Sequence, residues 1–205
     1  YSKDKADRLK ALFISEAQNR CSAEALTNLM GSVEEVQRVL TKVPIRVGAG
    51  AAHYVIEEAS IQSLVQYLAH SNNKFKRLAA VALLNLAIND ENKKAIRDAG
   101  GILPLVACLD STDTELKRNA AGALWNLALD DENKNAIQEA GGIEKLVACL
   151  DSEDAALKAN AAGALWTLAV NNKNKKAIQA AGGIANLIQC LDSTDTELRR
   201  NAAGA

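Results

Sequence analysis

"AAGALWNLALDDENKNAIQEAGGIEKLVACL" (residues 120–150) is followed 41 residues later by "AAGALWTLAVNNKNKKAIQAAGGIANLIQCL" (161–191). Self-similarity at a fixed period decides architecture before any local pattern is read. Working outward, Gly-Gly pairs stand at 100–101, 141–142 and 182–183. Leu68, Leu109, Leu150 and Leu191 share one register, and Leu83, Leu124 and Leu165 share another. The stretch "DSTDTELKRNAAGA" (110–123) returns as "DSTDTELRRNAAGA" (192–205), with only Lys117 and Arg199 differing.

Each unit divides into three helical pieces. "ENKNAIQEA" (132–140) is a short first helix stopped by Gly141-Gly142, because glycine enters the left-handed cap conformation without a Cβ penalty. "GIEKLVACL" (142–150) is a second, with Ile143, Leu146, Val147 and Leu150 at helical spacing on one face. Its counterpart carries Pro104 near its start, where a missing N–H costs nothing. The third and longest runs over about 113–129, and Thr112 with Glu115 reads as a capping box. Three such helices cannot close a core alone, so the units must stack.

Composition agrees with that picture. Apolar residues make up 48% of the 205-residue chain but aromatics only 3%, and the difference is filled by Ala and Leu, the best helix formers. A formal charge of −1 shows no excess that would demand nucleic acid or an anionic membrane. The longest apolar run, "LAAVALL" (78–84), is far below the roughly 20 residues that span a bilayer. The chain begins at Tyr1 and stops inside a word already used twice, so it reads as a piece of something longer.

The "A-G-G-I" break, the "L-V-x-x-L" second helix and a third helix ending "A-L-W-N-L-A" resemble the armadillo repeats, over about residues 49–205. The flavour is that of β-catenin and the vacuolar armadillo scaffolds. Importin α is a poorer match, since it usually puts Trp four residues before the Asn, where this chain has Gly122 and Val81. The resemblance implies an all-α, right-handed α-solenoid of three-helix repeats. Its units would run 49–89, 90–130, 131–171 and, truncated, 172–205. Residues 1–48 break the period but look helical, and "TKVPIRVGAGA" joins them to the array. They are expected to form a degenerate cap over the solenoid's apolar end.

Cys108, Cys149 and Cys190 fall one period apart. Stacked helices lie about 8–10 Å apart and a disulfide needs Cα atoms within about 7 Å, so they should stay unpaired, as small buried hydrophobes. Reduced thiols suit a cytoplasmic or nuclear setting. His53 and His70 have no evident nucleophile or second metal ligand at useful spacing. Neither an acid/base pair nor a phosphate-cradling loop is present, so no enzyme, cofactor or metal is expected.

The third helix carries the functional reading. From Asn126, at 100° per residue, Leu116, Ala120, Ala123, Leu124 and Leu127 cluster roughly 60° to 160° away. Glu115, Asn119, Gly122 and Asn126 form a second stripe, the one the armadillo resemblance places in the concave groove. Repetition makes rows: Asn119, Asn160 and Asn201 in one, Asn85 and Asn126 in another that breaks at Thr167. The amides either clamp the backbone of an extended peptide or brace neighbouring repeats. Trp125 and Trp166, with Leu84 in their slot, either anchor a partner or pack between third helices. Arg77, Arg118 and Arg200, interrupted by Ala159, either attract an acidic segment or form a solvated face. A second basic row, Lys76, Lys117, Lys158 and Arg199, points the other way. The sequence thus predicts a non-catalytic scaffold for an extended partner peptide, with self-association through the ends as the alternative.

Overall fold

The computed structural model describes residues 46–47, 54–55 and 58–205. Apart from Arg46 and Val47, the cap expected over 1–48 lies outside the described residues, and so does His53. Residues 45–205 belong to one structural unit.

The period was expected to begin at residue 49, but the first described element is extended. β1 (Arg46–Val47) pairs antiparallel with β2 (Tyr54–Val55), Arg46 opposite Val55 and Val47 opposite Tyr54. β-branched residues around Gly48 and Gly50 favour such a pair over a helix.

From there the chain is helical: α1 (Glu58–Leu68), α2 (Asn73–Leu86), α3 (Asp90–Asp98), α4 (Ile102–Cys108) and α5 (Thr114–Leu127). It continues through α6 (Asp131–Glu139), α7 (Gly142–Cys149), α8 (Ala155–Leu168), α9 (Asn172–Ala180), α10 (Gly183–Cys190) and α11 (Thr196–Gly204). The long helices α2, α5, α8 and α11 pack against one another in that order, each flanked by the second helix of its own repeat. This is an α-solenoid.

Local chemistry sets the boundaries. The third helices start one residue later than the sequence pattern suggested, because Asp113 rather than Thr112 caps α5: its Oδ1 accepts from the Leu116 amide at 3.1 Å. Asp154 and Asp195 do the same for α8 and α11. A carboxylate at that position also meets the positive end of the helix dipole, which a hydroxyl cannot do. The two glycines of each pair have different work. Gly100, Gly141 and Gly182 adopt φ of 73°, 72° and 77° to stop the first helix. The glycine after Gly141 is needed for space, since a Cβ at Gly142 would lie 2.7 Å from Ile137 Cγ2 and 2.8 Å from its carbonyl oxygen.

The core runs the length of the described solenoid as rows of equivalent residues. Leu83, Leu124 and Leu165 are fully buried, as are Ile96 and Ile137, with Ile178 nearly so. Each such side chain contributes about 1.5–3 kcal/mol of burial. Cys108, Cys149 and Cys190 are buried and unpaired. Burial raises all three thiols above their ordinary range, against the opposing pull of Lys76, Lys117 and Lys158 respectively. Among the described residues no helix is long and apolar enough to cross a membrane.

Candidate functional site

Neighbouring third helices meet so closely that the tryptophan row finds its place in the next repeat. A Cβ at Gly163 would lie 2.6 Å from the Trp125 indole, and one at Gly122 would lie 3.0 Å from Leu84 Cδ1. Trp166 lies over Gly204 in the same way. Each Trp or Leu thus lays its side chain on a bare stretch of the following helix. Trp125 is half-buried there and Trp166 is 40% exposed. Packing is what the geometry shows, and it leaves part of Trp166 open to water.

The asparagines divide between two tasks. Asn126 Nδ2 donates to the Leu84 carbonyl of the preceding third helix at 3.1 Å. Asn160 Nδ2 donates to the Arg118 carbonyl and Asn201 Nδ2 to the Ala159 carbonyl, each at 3.0 Å. These amides brace one repeat on the next. Gly122 makes room for the brace beside it, for its Cβ would lie 3.1 Å from Asn160 Nδ2. Asn119 and Asn201 are buried, Asn126 and Asn160 half-buried, and Asn85 is exposed. A brace uses one face of the amide. Among the described residues nothing donates to Oδ1 of Asn126 or Asn160, which leaves an acceptor on each half-buried amide.

The arginine row is also engaged between repeats. Arg118 holds Asp154 through two hydrogen bonds, Nη2 to Oδ2 at 2.5 Å and Nε to Oδ1 at 3.2 Å. The Arg118 guanidinium holds the Asp154 carboxyl below the usual carboxylate range, helped by the Leu157 amide against some burial. Arg77 reaches Glu115 at 3.1 Å and Asp113 at 3.5 Å. These pairs tie one third helix to the capping aspartate of the next. Among the described residues Arg200 meets only Glu197 of its own helix, at 3.6 Å, and it stays exposed.

His70 is part of a turn: its Nδ1 accepts from the Asn72 amide at 3.0 Å and its ring lies 4.6 Å from that of Phe75. No group of His, Cys, Asp or Glu among the described residues could hold a metal ion.

Two rows escaped the sequence reading. Asn92, Asn133 and Asn174 are buried in the first helices and donate to the Leu86, Leu127 and Leu168 carbonyls, closing the C-terminal ends of the third helices. The word "E-N-K" at 91–93 and 132–134 carried that signal. Ile88, Leu129 and Val170 follow the third helices by two residues and are 59%, 59% and 71% exposed. Their shared register was visible, but nothing in the sequence showed that the turn points them outward.

Three segments, 89–129, 130–170 and 171–205, match the family model described as Armadillo/beta-catenin-like repeat. No curated protein matches the chain. Among solved structures, an engineered protein from a structural genomics consortium is similar at 43% identity and a TM-score of 0.70, over 72% of this chain and 61% of its own. A computationally designed armadillo repeat protein for modular peptide recognition is 30% identical, TM-score 0.68, over 71% of this chain and 63% of its own. A designed armadillo repeat protein in complex with the peptide (KR)4 is 27% identical, TM-score 0.69, over 72% and 63%. The chain thus spans about three fifths of the length of these matched chains.

Proposed function

The chain belongs to the armadillo/β-catenin-like repeat family, and from that premise we propose that it is a protein-binding scaffold holding an extended partner segment along α2, α5, α8 and α11. The observation that carries this reading is the division of the amide rows. One N–H of Asn126 and one of Asn160 are used in stacking, while their Oδ1 atoms and the whole Asn85 amide remain for a peptide backbone whose own groups are unpaired. Designed relatives with the same fold recognise peptides, which supports the same use of this surface.

The charge of the partner is a finer matter. An acidic segment draws its support from Arg200, because Arg77 and Arg118 are already neutralised by Asp113, Glu115 and Asp154. The expected partner is therefore read mainly through its backbone, with an acidic residue favoured beside α11.

Asn85→Ala is the clean test, since Asn85 is exposed and braces nothing among the described residues. Displayed peptides captured on the wild-type chain should lose affinity on this variant while its helicity and melting temperature stay unchanged. Equal capture by wild type and variant would remove Asn85 from the recognition surface.

One observation favours a second reading, association through the last described repeat. Ile184, Ile188 and Leu191 are exposed, whereas Ile143, Val147 and Leu150, their equivalents one repeat earlier, are buried. Sedimentation of the wild type and of Ile188→Lys decides it: a concentration-dependent mass that the variant abolishes supports end-to-end association, and a monomer at every concentration excludes it.

A further inference from the structure

The arginine row has a gap at Ala159, and the acids that an arginine there would meet are still in place. Arg77 on α2 reaches Asp113 and Glu115 at the start of α5, at 3.5 Å and 3.1 Å. Arg118 on α5 holds Asp154 at the start of α8. On α8 the same position is Ala159, yet the start of α11 repeats the first set of acids. The word "DSTDTEL" at 110–116 returns at 192–198, so Asp195 and Glu197 stand where Asp113 and Glu115 stand. Among the described residues no cation pairs with Asp195, which is engaged by the Leu198 amide alone through its side chain. Glu197 meets Arg200 of its own helix at 3.6 Å, with both side chains more than half exposed.

We propose that Asp195 and Glu197 form a binding site for a guanidinium, supplied by an arginine of the partner segment. The inference rests on the scaffold reading above and adds the chemistry of one partner residue. Asp154 shows that a single carboxylate can cap a helix and hold a guanidinium at once. Its Oδ1 accepts from the Leu157 amide at 2.7 Å and from Arg118 Nε at 3.2 Å, and its Oδ2 accepts from Arg118 Nη2 at 2.5 Å. Asp195 makes the same cap, with Oδ1 accepting from the Leu198 amide at 2.8 Å, and among the described residues nothing donates to its Oδ2. Arg77 shows in turn that one guanidinium reaches both acids of the pair. A planar fork of N–H groups suits two carboxylates better than the point charge of an ammonium. Ala159 is buried and has no side-chain donor, so α8 does not fill the place itself.

A buried acceptor at the same junction also lacks a donor. Asn201 follows Glu197 by one turn on the same face of α11 and is fully buried. Its Nδ2 donates to the Ala159 carbonyl at 3.0 Å, while its Oδ1 has no partner among the described residues. Asn160, its equivalent where Arg118 is present, is half-buried instead. A buried oxygen without a donor is uncommon in a native fold and marks a place where one is wanted. The charge of the groove therefore changes along its length. Arginines of the chain neutralise the acids between α2 and α5 and between α5 and α8, and the acids between α8 and α11 await one from outside. Arg200 draws an anionic residue toward the later turns of α11, and the arginine meets the first turn, so the partner carries both signs there.

The probe is a library of short random peptides displayed on phage, selected in parallel on the full chain, on Ala159→Arg and on Asp195→Asn/Glu197→Gln. Ala159→Arg supplies the guanidinium from within, as Arg77 and Arg118 do. The double variant removes both charges while Asn at 195 keeps the helix cap. The wild-type pool should be enriched in arginine at one position, and both variants should capture peptides without that preference. In a synthetic peptide from the wild-type pool, that arginine is exchanged for citrulline, which has nearly the same shape and no charge. The exchange should weaken binding to the wild type about three- to tenfold and leave binding to Ala159→Arg unchanged. Should Ala159→Arg lose helicity, the double variant carries the comparison. The proposal is overturned if the wild-type pool shows no arginine preference, if a folded variant keeps that preference, or if the citrulline peptide binds the wild type equally well. Peptides lost on Asn85→Ala but indifferent to arginine sink this site and spare the scaffold reading, whereas a library that captures nothing on the wild type sinks both. A mass that rises with concentration in the wild type and not in Ala159→Arg also overturns it, by making a second copy of the chain the donor.

Discussion

Single residues in this protein act through partners about one repeat away. Gly163 exists because Trp125 lies over it, and a Cβ there would come within 2.6 Å of the indole. Gly163→Ala should therefore cost about 1–3 kcal/mol, since the indole is wedged between packed helices and cannot simply swing aside. A fall in the chemical denaturation midpoint with an unchanged slope would show it, and an unaltered midpoint would mean that the helices separate at little cost. Asp154 joins two roles, capping α8 and holding Arg118. Asp154→Ala should cost about 1–2 kcal/mol, most of it from the cap, because the ion pair is partly exposed. The folded-state carboxyl lies below its ordinary range. Its contribution is present in full above the unfolded carboxyl's range and is lost as pH falls through the folded one. The wild-type stability should thus decline in acid more steeply than that of the variant. Parallel pH profiles would assign the acid sensitivity to other groups.

At the scale of elements, the repeated word gave the helix types and most of their limits, and the exceptions have local causes. Gly141 and Gly182 stop the first helices where the sequence put the stops. The capping box at Thr112 failed because two adjacent residues, Thr112 and Asp113, both suit a cap, and the carboxylate one residue later accepts from the Leu116 amide and meets the positive end of the helix dipole. Asp113→Ala should cost about 1 kcal/mol and Thr112→Ala, exposed and outside the helix, less than about 0.5 kcal/mol. Thermal melts of the two variants measure the difference. Reversed costs would restore Thr112 as the cap. The second glycine of each pair was also misread in part: its conformational use was inferred, but its need for space against Ile137 arises only once the helices cross.

For the whole molecule, stacking decides what each copy of a repeated residue does. Val147 and Ile188 occupy the same place in successive repeats, yet Val147 is buried and Ile188 exposed. Val147→Lys should unfold the array from that repeat, because it buries a charge with no partner, while Ile188→Lys should leave helicity intact. Circular dichroism of the two variants makes the comparison, and equal losses would mean that the outer face of α10 is covered in solution. Stability of such arrays is a sum of repeats and their interfaces.

The sequence by itself determined that this chain is a stack of three-helix units and that it resembles the armadillo family. Those facts live in local periodicity: apolar spacing, helix stops and a word that returns. It also determined which residues form rows. Only the tertiary structure decided which rows are occupied with holding the stack together and which remain open. The physical reason is that the braces of Asn126, Asn160 and Asn201 end on backbone carbonyls 42 residues away, and a carbonyl carries no side-chain identity for a sequence to reveal. The exposed edge at Ile88, Leu129 and Val170 has the same origin, since a turn residue after a buried helix faces the core or the solvent according to how the next helix leaves it.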